Sequence, residues 1–101
     1  KMPVMEKSLL SKLSKELEIP ETKIVDESIH VFLEKELRDA SAEILKIKAQ
    51  FNITSAKELK GRIEKGEVEE HPAWEHLIYW ENLEKRIKVV NDWMQKLRIS
   101  S

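Results

Sequence analysis

The feature that most constrains this sequence is a long stretch, Glu21 to Phe51, that contains neither glycine nor proline. Its apolar residues alternate spacings of four and three positions, which is the heptad pattern of helices that pack side by side. This first seam consists of Leu33, Leu37, Ala40, Ile44, Ile47 and Phe51. Such a helix spans about 45 Å, which is too long for one small globule to cover on every side. The stretch therefore predicts a long helix that packs against another long helix.

The last third of the chain carries a second seam with the same alternation of spacings, formed by Trp80, Leu83, Ile87, Val90, Met94 and Leu97. Pro72 is suited to the first turn of this helix, because the amide hydrogen that proline lacks is not needed there. Two seams of matching length, joined by residues 52–71, indicate an antiparallel hairpin of helices.

Two shorter helices complete the predicted fold. Leucines at helical spacing between Ser8 and Leu17 indicate a first helix, and Pro20 disfavours its continuation. The pair Ser55 and Glu58 has the spacing of a capping box that opens a short helix, which Gly66 is suited to close. We expect an all-α protein in which a short N-terminal helix precedes an antiparallel hairpin of two long helices joined by a short capped helix.

Composition narrows the class of protein further. At 101 residues the chain is long enough for a single domain with a thin core. The 18 basic and 19 acidic residues nearly balance, so the overall charge favours neither nucleic acid nor a membrane surface. No apolar run approaches the roughly 18 residues that a membrane helix needs. These features predict a soluble protein, and the absence of cysteine suits a reducing cytoplasm.

The start of the last helix carries apolar residues on two sides. On a helical wheel, Trp80 and Tyr79 fall near the seam and are predicted to be core residues. Three other residues fall on the opposite side, namely Trp74, Leu77 and Ile78. A helix with two apolar sides has two neighbours. The second neighbour is either the short helix, whose Leu59 and Ile63 need a cover, or another protein, since aromatic side chains are favoured anchors of protein interfaces.

The same region is strongly acidic. Residues 64–84 contain seven glutamates and one lysine, a net charge of −6, whereas residues 85–98 carry a net charge of +4. Such a block is either a solvated helix face or, together with the off-seam aromatic residues, a surface that steers a basic partner. In the second interpretation Trp74, Leu77 and Ile78 anchor the partner, and Glu75 and Glu81 form the rim.

The sequence offers little support for catalysis or for a bound cofactor. His71, Glu75 and His76 are metal-ligand types, but two histidines five positions apart on one helix do not face the same way. No glycine-rich phosphate loop, cysteine nucleophile or recognisable catalytic triad is present. We therefore expect neither an enzyme nor a metal or cofactor site.

Residues 9–37 resemble the two helices of ribbon-helix-helix regulators. The likeness rests on the leucine-striped first helix, the turn at Glu16–Ile19, the polar segment Pro20–Thr22 and the following apolar positions. The resemblance implies that residues 1–40 form a dimerisation part, with the contact made by Leu13, Leu17, Ile29, Phe32 and Leu33. It also implies a preceding strand that enters DNA, for which residues 1–7 and the basic residues Lys7 and Lys12 are the candidates.

Residues 51–84 resemble the C-terminal part of small prokaryotic, largely archaeal, antitoxin-like proteins. The likeness lies in Phe51–Ser55, the short helix with Lys57–Leu59, the pair Gly66–Glu67, and Trp74–Glu75 followed by Trp80–Glu81. It implies an antitoxin whose residues 41–101 mask a basic, ribonuclease-like toxin, within a homodimer. A structural helical dimer or adaptor and a transcriptional regulator are the alternatives.

Overall fold

The structure of the protein, a computed structural model, describes the backbone of residues 7–100 and the side chains of residues 7–98. This part of the chain forms four helices and no strand: α1 (Lys7–Leu17), α2 (Glu21–Phe51), α3 (Ala56–Glu64) and α4 (Glu70–Ser100). The predicted all-α fold is therefore confirmed. Of the segment expected to form a DNA-binding strand, residues 1–7, residues 1–6 lie outside the described residues and Lys7 is the first residue of α1. Within the described residues, no helix is long and apolar enough to cross a membrane.

The chain divides into two compact units, Lys1–Leu33 and Glu34–Ser101, with the boundary inside α2. The first unit contains α1 and the beginning of α2. The second unit contains the remainder of α2 together with α3 and α4. Every described residue of the first unit is exposed or half-buried, and the buried residues of the described chain all belong to the second unit.

The second unit contains the predicted antiparallel hairpin. Contacts between α2 and α4 pair residues that run in opposite directions along the two helices: Gln50 with His76 (3.5 Å), Glu43 with Tyr79 (3.4 Å) and Glu36 with Arg86. Residues of both predicted seams are buried between the helices, among them Ile44 and Ile47 from α2 and Trp80 and Leu83 from α4. The heptad spacing is therefore confirmed as a packing line from Ala40 to Phe51 on α2 and from Trp80 to Ile87 on α4. The outer seam residues are half-buried and lie outside this cluster: Leu33, Leu37, Met94 and Leu97.

The short helix α3 completes the core of this unit. Its Leu59 is fully buried, and the other large side chains buried to the same degree are Leu77 and Trp80 of α4. Ile63 of α3 and Ile53 from the preceding loop join the same cluster. Helix α3 therefore packs on α4 and covers the side of α4 that α2 does not reach.

Each of the three helix-to-helix connections contains a residue of positive φ within its first two positions, namely Glu18 (59°), Asn52 (56°) and Gly66 (74°). After α3, the amide of Gly66 donates to Ile63 and that of Glu67 donates to Arg62, which is a complete Schellman motif. The predicted role of Gly66 in closing α3 is confirmed. Glycine tolerates this conformation better than the other two residues do.

The start of α3 has the predicted cap. The Ser55 hydroxyl accepts a hydrogen bond from the amide of Glu58 at 3.0 Å, and the Glu58 carboxylate accepts from the amide of Thr54 at 3.0 Å. The hydrogen bond from the Thr54 amide lowers the pKa of Glu58, with further contributions from the Thr54 hydroxyl and Arg62. Arg62 also donates to the Phe51 carbonyl at 3.1 Å, so the end of α2 and the body of α3 are joined.

The lowered pKa of Glu58 predicts a pH-dependent contribution to stability. Because the folded-state pKa lies below the ordinary value, the contribution is present at neutral pH and is lost as the pH falls through the folded-state pKa. We expect the Glu58→Gln variant to be less stable than the unmodified protein in urea titrations at pH 7, with the difference shrinking towards pH ~3. The matched control is Glu67→Gln, which removes an exposed carboxylate just after α3. A difference for Glu58→Gln that is independent of pH would contradict this account of the cap.

Candidate protein-binding surfaces

Small and apolar side chains in the first turns of α4 pack into the core. Ala73 is completely buried, and Leu77, one turn later, is 2% exposed. Both belong to the cluster that contains Leu59 and Ile63 of α3. The prediction that Leu77 anchors an external partner is therefore corrected: of the two neighbours considered for this side of α4, the short helix is the one that covers Leu77.

The neighbouring residues Trp74 and Ile78 remain outside this core. Their exposed fractions are 44% and 45%, and they lie one helical turn apart on the same side of α4. We call this pair the Trp74 surface. A shallow groove of about 420 Å³ next to it is lined by Glu70, His71, Trp74 and Glu75. Removing an apolar side chain from water stabilises a protein by about 25 cal/mol per Å² of apolar area. The exposed parts of Trp74 and Ile78 would gain this stabilisation only when a partner covers them.

The polar residues around the Trp74 surface are mostly acidic. Glu70, Glu75 and Glu81 are exposed, and the Glu75 carboxylate lies 3.3 Å from the His71 ring nitrogen. His76 points elsewhere, because its ring meets the Phe51 ring edge-on at a centroid distance of 5.4 Å. The two histidines therefore do not converge. No group of three possible metal ligands is found within the described part of the chain.

Tyr79 differs from its predicted position. Its ring is 44% exposed rather than buried, and its hydroxyl donates to the Glu43 carboxylate at 3.4 Å. Trp80, by contrast, is 1% exposed, as the seam predicts, and its indole nitrogen donates to Glu84 at 3.0 Å. The prediction was wrong for Tyr79 because a position at the edge of a seam allows a long side chain to lie along the groove between two helices and keep its polar end in water.

The structure also shows an apolar pair that the sequence analysis missed. Val89 and Trp93 are 55% and 50% exposed and lie one turn apart near the end of α4. The ammonium group of Lys96 lies 4.3 Å from the centre of the Trp93 ring, in a cation–π arrangement. Their four-residue spacing is the same as that of Trp74 and Ile78. The helical wheel could therefore have predicted that Val89 and Trp93 also lie away from the seam.

The first unit presents a second apolar surface. Leu17, Ile29 and Phe32 are 54%, 41% and 58% exposed, whereas Leu13 and Leu33 are half-buried. The five residues predicted to form a dimer contact are thus largely accessible. Lys7 and Lys12, the predicted nucleic-acid residues, are exposed on α1.

These features define a small all-α protein with a helical hairpin and with exposed apolar surfaces in both of its units. The chain belongs to the family described as "Uncharacterized protein MJ0235 family", whose model matches residues 2–101. No curated protein and no solved structure matches the chain. The family description mentions neither an antitoxin nor a ribbon-helix-helix regulator, so those assignments stay predictions.

Proposed function

We propose that this protein is a cytoplasmic, non-catalytic binding protein of the antitoxin type, which occupies the surface of a basic, ribonuclease-like toxin. The observation that supports this function best is the Trp74 surface within an acidic environment. Trp74 and Ile78 stay in solvent although the neighbouring Ala73 and Leu77 are buried. Exposed aromatic side chains that a rigid core holds in place are typical anchors of protein interfaces.

Charge supports a basic partner for this surface. The Trp74 surface lies within residues 64–84, whose net charge is −6. Opposite charges accelerate the encounter of two proteins and disfavour partners of the same sign. Glu70, Glu75 and Glu81 surround the apolar centre, as the polar rim of an interface surrounds its dry core. Leu77 supports the anchors from beneath and has no direct role in the contact.

The first unit supports the proposal that the protein is a homodimer. Isolated helices as short as α1 are marginal in water, and their stability in proteins comes from packing. None of the residues 7–33 is buried, although several are large and apolar. A second copy supplies an identical apolar surface, as two-fold symmetric interfaces require. We therefore propose that Leu13, Leu17, Ile29, Phe32 and Leu33 form the dimer contact.

Binding to the toxin tests the proposed function. The test uses the product of the neighbouring gene, which the proposal expects to be a small basic protein, and measures its affinity by titration calorimetry. Replacing both Trp74 and Ile78 by alanine is expected to weaken binding by at least about 30-fold, because the loss of even one anchor residue costs roughly 2 kcal/mol. The variant keeps its helicity because both side chains are exposed.

The matched control for this experiment is Leu45→Ala. Leu45 is a large apolar residue on α2 with 62% exposure, and it lies outside the Trp74 surface. Its replacement leaves the affinity unchanged. Equal affinity of the Trp74→Ala/Ile78→Ala variant and the unmodified protein would refute this choice of anchors. A neighbouring gene that encodes no basic protein would count against the antitoxin function itself.

The dimer contact is tested by analytical ultracentrifugation. We expect Phe32→Lys to shift the dimer towards monomer, because a charge would be placed in the apolar contact without a partner. The control is Val31→Lys, since Val31 is 64% exposed and lies outside the proposed contact, about 160° from Ile29 and about 100° from Phe32 around α2. If both variants sediment like the unmodified protein, the contact lies elsewhere or the protein is a monomer.

A further inference from the structure

The outer side of α4 carries a stripe with an exposed apolar pair at each end and polar residues between the two pairs. Trp74, Ile78, Val89 and Trp93 are between 44% and 55% exposed, and all four lie on the side that faces away from the core. Because successive residues are rotated by about 100° around the helix axis, the four residues fall within a sector of roughly 100°. The second pair is rotated around the helix relative to the first pair. The stripe has an apolar pair at each end, and its middle contains Glu81, Asn82 and Lys85.

The two apolar pairs occupy mirrored positions along the sequence of α4. Trp74 and Trp93 lie equally far along the chain from the peptide bond between Leu83 and Glu84. Ile78 and Val89 are also equally far from that bond. If two copies of α4 lie side by side in opposite directions with a two-fold axis at this bond, Trp74 of each copy meets Trp93 of the other. Ile78 then meets Val89, which completes an apolar contact at both ends.

Charges along one edge of the stripe follow nearly the same symmetry, with their centre at Leu83, half a residue from that bond. This edge carries Glu70 and Glu81 in the first half of α4, and Lys85 and Lys96 in the second half. In the antiparallel pair, Glu81 lies beside Lys85 of the other copy, and Glu70 lies beside Lys96. A parallel pair would place each of these residues beside its own copy, which has the same charge and is unfavourable.

We propose that α4 pairs in antiparallel orientation with α4 of a second copy through this stripe. A uniformly basic partner fits only the Trp74 end, because residues 85–98 have a net charge of +4. A second copy has the reversed order of charges and therefore matches the whole stripe. Four apolar side chains per copy form a small contact, so the pairing is weak and depends on protein concentration.

The pairing goes beyond the proposed function and does not depend on it. It covers the Trp74 surface in the unbound protein. A consequence that does rest on the proposed function is that a basic partner must displace the second copy from Trp74 and Ile78. Self-association and partner binding are then mutually exclusive at this surface, whereas the contact in the first unit persists in both states.

Cross-linking tests the orientation directly, since the natural chain contains no cysteine. Full-length Ile78→Cys and Val89→Cys variants are mixed and oxidised. We expect the mixed disulfide to predominate, because these two residues face each other in the antiparallel pair. Cysteines at the same position in two copies would lie about 16 Å apart, beyond the roughly 7 Å that a disulfide allows between Cα atoms.

A reversal of charge provides the second, independent measurement. Glu81→Lys and Lys85→Glu should each weaken self-association about tenfold in sedimentation velocity, because each replaces two attractive contacts by repulsive ones. The Glu81→Lys/Lys85→Glu double variant exchanges the charges within one chain and should restore association. The matched control for cross-linking is Leu45→Cys mixed with Ile78→Cys.

The outcomes separate clearly. A mixed disulfide no more abundant than in the Leu45→Cys control, or a predominance of disulfides between identical positions, would overturn the proposal. Failure of the double variant to restore association would do the same. No toxin is present in either measurement, so the antitoxin assignment can fail while the pairing holds, and the reverse is equally possible.

Discussion

The packing of α3 against α4 determines which residues of this protein are available for contact. Leu59 of α3 and Leu77 and Trp80 of α4 are the largest fully buried side chains of the core. Because α3 occupies the side of α4 that carries Ala73 and Leu77, the next positions around the helix are left in solvent. Trp74 and Ile78 are therefore exposed because α3 does not extend over their side of α4. Capping at Ser55 and the Schellman motif at Gly66 fix the length of α3 and, with it, the edge of this surface.

This arrangement gives α4 two different sides. The inner side joins α2 and α3 through a closely packed apolar cluster. The outer side bears two apolar pairs within regions of opposite charge. A helix whose outer side were only solvated would carry polar residues there. The combination of a rigid inner side with anchors and ordered charges outside is suited to recognising other proteins, including a second copy of the chain.

The sequence predicted the parts of the fold that depend on periodicity and local capping. The central parts of the two seams, the Ser55 cap and the closing glycine all depend on short-range rules, and the structure confirms them. Leu77 could not be assigned from periodicity, because its place in the core depends on how α3 folds back. Tyr79 was misplaced because a wheel gives the direction of a residue but not the path of a long side chain. Trp93 was missed although its spacing from Val89 carried the same signal as Trp74 and Ile78.

The central claim is that the outer side of α4 is a contact surface and that its inner side is permanent core. Fluorine NMR of protein labelled with 5-fluorotryptophan tests it directly, since the three tryptophans, Trp74, Trp80 and Trp93, report on both sides of one helix. On dilution, the resonances of Trp74 and Trp93 should shift together, whereas that of the buried Trp80 should stay constant. Resonances of Trp74 and Trp93 that do not change with concentration, or a shift confined to Trp80, would contradict the account.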